Sequence, residues 1–145
     1  MLDAVVDAPA ENVRSVLNDF AGYAQLDRRI RSSQVIGGQA GQVLLKTRVH
    51  ACAGWFCRDV NRVERVTLSD DALVAEVVPE RSDFRGGDTR TEWDAVNGGT
   101  RIRYQARFTP DFWIPAILGR ALVLRSLRES TLELFSNVEE RARGL

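Results

Sequence analysis

Apolar and polar residues alternate through the middle of this chain, and apolar residues recur every three or four positions near its two ends. Leu2 to Asp7 alternates and predicts a short strand. Val13, Val16, Leu17 and Phe20 then share one face of a helix that has Pro9 at its first turn. Gly22 interrupts that stripe, and "YAQLDRR" predicts a second short helix. Ile30 to Ile36 predicts a strand ending at Gly37-Gly38. Val43, Leu45, Thr47, Val49 and Ala51 alternate with mostly polar neighbours, the period of a half-buried strand. The run from Val43 to Val66 is too long for one ordinary strand and predicts a fold-back near Ala53-Gly54.

A further strand is predicted over Ala72 to Val78, before Pro79. The clearest hairpin is "RTEWDAVNGGTRIRYQARF". A tight turn at Asn97-Gly98 sets Asp94 against Arg101, Glu92 against Arg103 and Trp93 against Ile102. Charges then meet on one face and apolar groups on the other. From about Ile114 to Ala142 the helical period returns, with Ile117, Ala121, Leu124, Leu127, Leu134, Phe135 and Val138 as the expected buried stripe. Such a helix is about 40 Å long, enough to cross a sheet of seven strands about 30 Å wide. The order strand, two helices, six strands, long helix predicts an α+β domain over residues 1–145, with a curved seven-stranded antiparallel sheet around the C-terminal helix. A sheet curled around a rod need not fill its middle, which leaves room for an apolar ligand.

Composition narrows the partners. The formal net charge is zero, and nucleic acid is not an expected partner. Nineteen of the twenty basic residues are Arg, a side chain suited to carboxylates. No apolar run reaches the ~20 residues of a membrane helix. The first strand is short, which suggests a trimmed, exported chain without its leader.

The element order, the opening "VDAPAENVRSVLNDFAGYAQL" and the ending "YQARFTPDFWIPAILGRALVLRSLRESTLELFSNVEE" resemble the START-like (SRPBCC) superfamily. Val6, Ala8, Pro9, Val13, Asp19, Phe20 and Tyr23 carry the opening pattern. The superfamily holds polyketide cyclases and dehydrases, birch-pollen-allergen-type binders and the coenzyme Q-binding proteins, the last being the branch this chain is most similar to. The resemblance implies a helix-grip fold, a bacterial source and a cavity between sheet and C-terminal helix. It supplies no catalytic motif that transfers residue by residue.

Several clusters are candidates for the site. "TPDFWIPAILGRALVLR" makes the helix entrance apolar on all sides. Its Phe112, Trp113 and Ile117 are read either as a helix start under the N-terminal helices or as a lid over a cavity, able to touch a membrane surface transiently. The turn "ERSDFRGGD" places Asp83 and Phe84 either at a cavity rim or in a solvated loop, with Gly86-Gly87 as a mobile turn. Opposite the apolar row on the long hairpin stand Arg58, Arg62 and Glu64. They face inward unless a bulge turns them out, and Arg58 is then the candidate grip for a ligand carboxylate or phenolic oxygen. Trp93, Tyr104, Ala106 and Phe108 line the same face, or simply fill it.

The same register sets Cys52 against Cys57 and His50 against Asp59. The cysteines are a possible disulfide, which would fit a periplasmic or exported protein; otherwise the expectation is cytoplasmic. No catalytic set, metal site or cofactor is expected. The function so indicated is non-catalytic binding or transport of a lipid-like small molecule. A cyclase or dehydrase acting on a polyketide-like substrate is the first alternative, and a ribosome-associating module the second. The oligomeric state stays open.

Overall fold

The computed structural model describes residues 2–145, apart from the side chain of Arg120. The strands are β1 (Leu2–Val6), β2 (Ile30–Gln39), β3 (Gln42–Ala53), β4 (Phe56–Leu68), β5 (Ala72–Val77), β6 (Phe84–Val96) and β7 (Gly99–Pro110). The helices are α1 (Ala10–Asn18), α2 (Tyr23–Leu26) and α3 (Gly119–Arg143). The strands form one antiparallel sheet in the order β1-β7-β6-β5-β4-β3-β2, curved around α3 as a helix-grip fold. Each strand from β2 onward pairs with the next one in sequence, and β1 closes on β7.

Alternation explains the sheet. Leu45, Val66, Ala75, Trp93 and Ile102 sit on one face and join the core, while Arg65, Glu76 and Arg103 lie on the other. Trp93 pairs with Ile102, Glu92 with Arg103 and Asp94 with Arg101 around the Asn97-Gly98 turn, as the sequence pattern requires. The outer ion pairs also run diagonally, Arg103 to Asp94 at 3.3 Å and Arg101 to Asp3 on β1 at 3.6 Å.

Three expectations shift. α3 begins at Gly119 rather than near Ile114, because Pro115 is extended (φ −57°, ψ 126°) and Gly119 has a positive φ of 68°. A single 3-10 turn, Ala116–Leu118, bridges the two. Gly86 and Gly87 lie inside β6 rather than in a mobile turn; the chain turns earlier, in a 3-10 segment at Pro79–Arg81. Finally, β2 runs through Gly37 and Gly38 and turns at residues 40–41.

The core lies where α1 and β1 meet the C-terminal half of α3. Val13, Ile102, Val138 and Ala142 are wholly buried there, with Val16, Phe20 and Phe135 around them. A large apolar side chain so placed contributes about 1.5–3 kcal/mol by leaving water. Polar side chains fasten the N-terminal segment to the helix. Asn12 Nδ2 donates to Ala142 O (3.1 Å), Asn137 Nδ2 to Leu26 O (3.0 Å), and Glu139 accepts from Asp7 N (2.8 Å). The buried Thr100 hydroxyl donates to Ala8 O at 2.7 Å.

Candidate functional site

The site is built from the inner face of the β3–β4 hairpin. Pairing runs without a register shift from Gln42↔Thr67 to Ala53↔Phe56. Leu45, Thr47, Val49 and Ala51 therefore share their face with Glu64, Arg62, Val60 and Arg58. Leu45 belongs to the core, so this is the face toward α3. With no bulge to turn them out, Arg58, Arg62 and Glu64 look inward. On the other side of the sheet, Tyr104, Ala106 and Phe108 of β7 continue the face, paired with Thr91, Thr89 and Gly87 of β6.

Opposite lies one helical stripe: Leu124, Leu127, Thr131, Phe135, Val138, Ala142. Its C-terminal members are buried, Phe135 at 5% exposure and Val138 at 0%. Its N-terminal members are not: Leu124 is 52% and Leu127 55% exposed. The expected stripe thus holds only from Leu134 onward; Ile117, Ala121, Leu124 and Leu127 reach solvent. The N-terminal half of α3 rests on the β3–β4 turn instead, where Gly54 meets Leu122 and Leu118. Ala51, Arg58, Ala106, Leu124 and Leu127 are all exposed, so the space between this half of the helix and the sheet is a cleft open to solvent at one end.

Charged and phenolic groups mark where filled core gives way to cleft. Glu64 is 3% exposed, and its Oε1 lies 2.9 Å from Arg62 Nε. The Arg62 Nε–H does not point along that contact and finds no acceptor among the described residues. The Arg62 guanidinium lies over the Phe108 ring, 5.2 Å from its centre. Tyr104 stacks edge-on to Phe135 on the core side. Burial raises the Tyr104 pKa, with Glu64 adding to the rise and Arg62 opposing it. Burial also raises that of Tyr23, with Glu64 and Asp19 adding; its hydroxyl donates to Leu17 O. Both phenols thus stay protonated beside a carboxylate that can accept and a guanidinium with a hydrogen to give.

The sequence candidates divide three ways. Glu64, Tyr104 and Phe108 meet at this boundary with Arg62. Arg58 and Phe112 stand nearer the mouth, the Arg58 guanidinium 4.9 Å from the Phe112 ring centre. Phe112 also contacts Phe84, which contacts Phe108, so Phe84 belongs to the rim. Trp93 is buried in the closed core, 4% exposed, and supplies packing rather than a ligand contact. Trp113 and Ile117 project outward, 70% and 85% exposed, because the extended Pro115 and the positive φ at Gly119 keep them off the helix. Sequence reasoning misses Tyr23 as a site residue, although it follows the α1 stripe just past Gly22. It also misses Gly87, where a Cβ would come within 2.5 Å of the Phe108 ring. The β3–β4 turn is a third omission at the mouth: Phe56 is edge-on to both Trp55 and Trp113.

The opposite face of this hairpin carries Cys52 and Cys57, bonded to each other at directly paired positions. His50 and both sulfurs cluster there, but the disulfide uses the sulfur atoms that could otherwise bind a metal as thiolates. Two polar grooves flank α3. One of about 520 Å³ includes Gln25, Arg28, Asn137 and Glu140; one of about 300 Å³ includes Arg29, His50, Cys52 and Ser126. Among the described residues no helix is long and apolar enough to cross a membrane.

Residues 2–137 match the family model "Polyketide cyclase / dehydrase and lipid transport". Three solved structures show the same fold. A Thermus thermophilus protein is 19% identical with a TM-score of 0.84, over 99% of this chain and 95% of that one. A START superfamily protein from Mycobacterium smegmatis is 16% identical, TM-score 0.77, with the same coverage. The Zhui aromatase/cyclase from a Streptomyces species is 14% identical, TM-score 0.73, covering 98% of this chain and 91% of that one. A comparison with curated proteins gives no match.

Proposed function

The chain belongs to the polyketide cyclase / dehydrase and lipid transport family, and on that premise we propose that it binds and carries an amphipathic, lipid-like small molecule in the cleft under the first half of α3. The observation that carries this reading is the unburied half of the helical stripe. Leu124 and Leu127 keep core spacing yet stay half in water, facing a sheet that offers Ala51, Ala106 and Phe108. An apolar tail entering there would complete the burial that Phe135 and Val138 complete further along. At the inner end of the cleft a polar or acidic head group would meet the part of the Arg62 side chain that reaches solvent, about 25% of it being exposed. The outward Trp55, Trp113 and Ile117 suit transient contact with a membrane surface during loading, since aromatic rings favour wet–dry boundaries.

The test is native mass spectrometry of the purified protein, then titration with a fluorescent long-chain fatty acid and with its methyl ester. Saturable binding that prefers the acid, with the preference lost in Arg62→Met, is the expected result. Absence of both co-purified lipid and saturable binding overturns the carrier reading. An unchanged preference in Arg62→Met removes the head-group assignment alone.

One observation favours a second reading, a cyclase or dehydrase. Tyr104, held protonated by burial, shares its face with Arg62 and Glu64, which suits proton transfer to a poly-β-ketone chain. Turnover of such a chain that disappears in Tyr104→Phe, with binding retained, would replace the carrier reading.

A further inference from the structure

The outer face of the β3–β4 hairpin holds a second cluster that the ligand cleft does not use. The register sets His50 beside Asp59 and Cys52 beside Cys57, one step further along the same face. Both cysteines are exposed although bonded to each other. His50 Nδ1 lies 2.7 Å from Asp59 Oδ1, and a His50 ring nitrogen and both sulfurs lie within 4.8 Å of one another. The groove between the β3 edge and α3 opens onto Cys52 and His50.

The charges around the imidazole are largely matched. Asp59 also pairs with Arg48 at 3.2 Å, Glu133 with Arg29 at 3.5 Å and with Arg28 at 4.0 Å, and Glu129 with Arg125 at 3.0 Å. The imidazole is therefore the group at the sulfurs best able to move a proton near neutral pH. Asp59, held below its ordinary pKa chiefly by the His50 hydrogen bond, fixes the ring and favours a proton on Nδ1.

We propose that Cys52–Cys57 is a redox-active disulfide that exchanges with dithiols, with His50 as its proton donor and acceptor. A thiolate of the dithiol attacks Cys57 Sγ. A new S–S bond forms there while the Cys52–Cys57 bond breaks, and its electron pair leaves on Cys52 Sγ, which takes a proton from the His50 imidazolium. The second thiol of the dithiol, once deprotonated, attacks the mixed disulfide at its own partner sulfur. It closes a ring disulfide and expels Cys57 as a thiolate, which is then protonated from solvent. The protein gains two electrons and two protons, and the dithiol loses the same. A cation at the leaving sulfur speeds this exchange because a better-stabilised thiolate leaves faster.

The disulfide brackets the turn that carries Trp55, whose neighbour Phe56 touches Trp113 at the cleft mouth. The proposal stands apart from the carrier reading, since its readout is thiol count.

The experiment incubates the native full chain with dithiothreitol, quenches aliquots with iodoacetamide and counts adducts by intact mass. Two adducts are expected without denaturant. At pH 6.5 reduction of His50→Gln should be about tenfold slower than wild type. Asp59→Asn, which keeps the imidazole but loosens it, should fall between them, and it serves alone if His50→Gln fails to fold. A disulfide reducible only in denaturant, or equal rates at pH 6.5 in wild type and the folded variants, overturns the proposal.

Discussion

The two halves of α3 meet the same sheet with the same apolar spacing, yet one half is sealed and the other open. At the C-terminal half the space is filled from outside the pair: α1 supplies Val13 and Val16, the following turn supplies Phe20, and β1 supplies Val6. At the N-terminal half no N-terminal helix covers the seam. The sheet there carries small residues, Ala51 and Ala106, between the large Phe108 and the charged Arg58 and Arg62. Helical periodicity reports which way a side chain points, not whether anything stands opposite. A grip fold makes its site by withholding the third layer at one end.

The largest expected effect tests the sealed half. Phe135→Ala removes a side chain that closes on Tyr104 and the α1 stripe, and should cost about 3–5 kcal/mol by chemical denaturation. A loss below about 1 kcal/mol would mean that this half is as loose as the other. Next in size is Gly87→Ala, at the floor of the cleft. The new methyl would press on the Phe108 ring and on the Arg107 carbonyl, so that both ring and strand must shift, costing about 1–3 kcal/mol. Because Phe108 underlies Arg62, the variant should also weaken probe binding.

The same division separates what is legible in the sequence from what is not. The Asn97-Gly98 hairpin, the β3–β4 register and the α1 stripe follow from local patterns and turn chemistry, and each stands in the structure. The start of α3 does not, because an apolar run looks helical whether or not Pro115 and Gly119 allow it. Trp93 reads as a cleft residue and is core, because its distance along the strand from the open end cannot be seen in an alternating pattern. For Arg62 the sequence leaves inward and outward facing open, and the bulge-free register decides it; its orphaned hydrogen is a matter of side-chain direction that no spacing encodes.

A smaller effect probes the boundary. Tyr23→Phe loses one hydrogen bond to Leu17 O and should cost about 1 kcal/mol. Its pH signature is more telling. The folded pKa of Tyr23 is raised above the unfolded value, so the unfolded chain ionises first as pH rises. Stability from the neutral phenol is complete below about pH 10 and falls as pH climbs through the folded pKa. Denaturation midpoints should therefore drop more steeply above about pH 10 in wild type than in Tyr23→Phe. Parallel alkaline curves would show that Tyr23 is not held in the closed half.

The smallest stability change belongs to Leu124→Ala, and it separates the two halves most cleanly. Leu124 occupies the same stripe as Phe135, but it is half in water, so little burial is lost on truncation. The expected change is within about 0.5 kcal/mol, as for an exposed helical site. A bound tail would complete the burial of Leu124, and truncation then removes roughly 1.4 kcal/mol of apolar contact, which is about tenfold in Kd. The fatty-acid titration should accordingly weaken about tenfold while the denaturation midpoint stays put. Phe135→Ala should do the reverse, unfolding the protein more readily without a specific effect on the bound probe at temperatures where it remains folded. If Leu124→Ala instead destabilises the free protein by several kcal/mol, the upper stripe is already sealed and the cleft holds no tail.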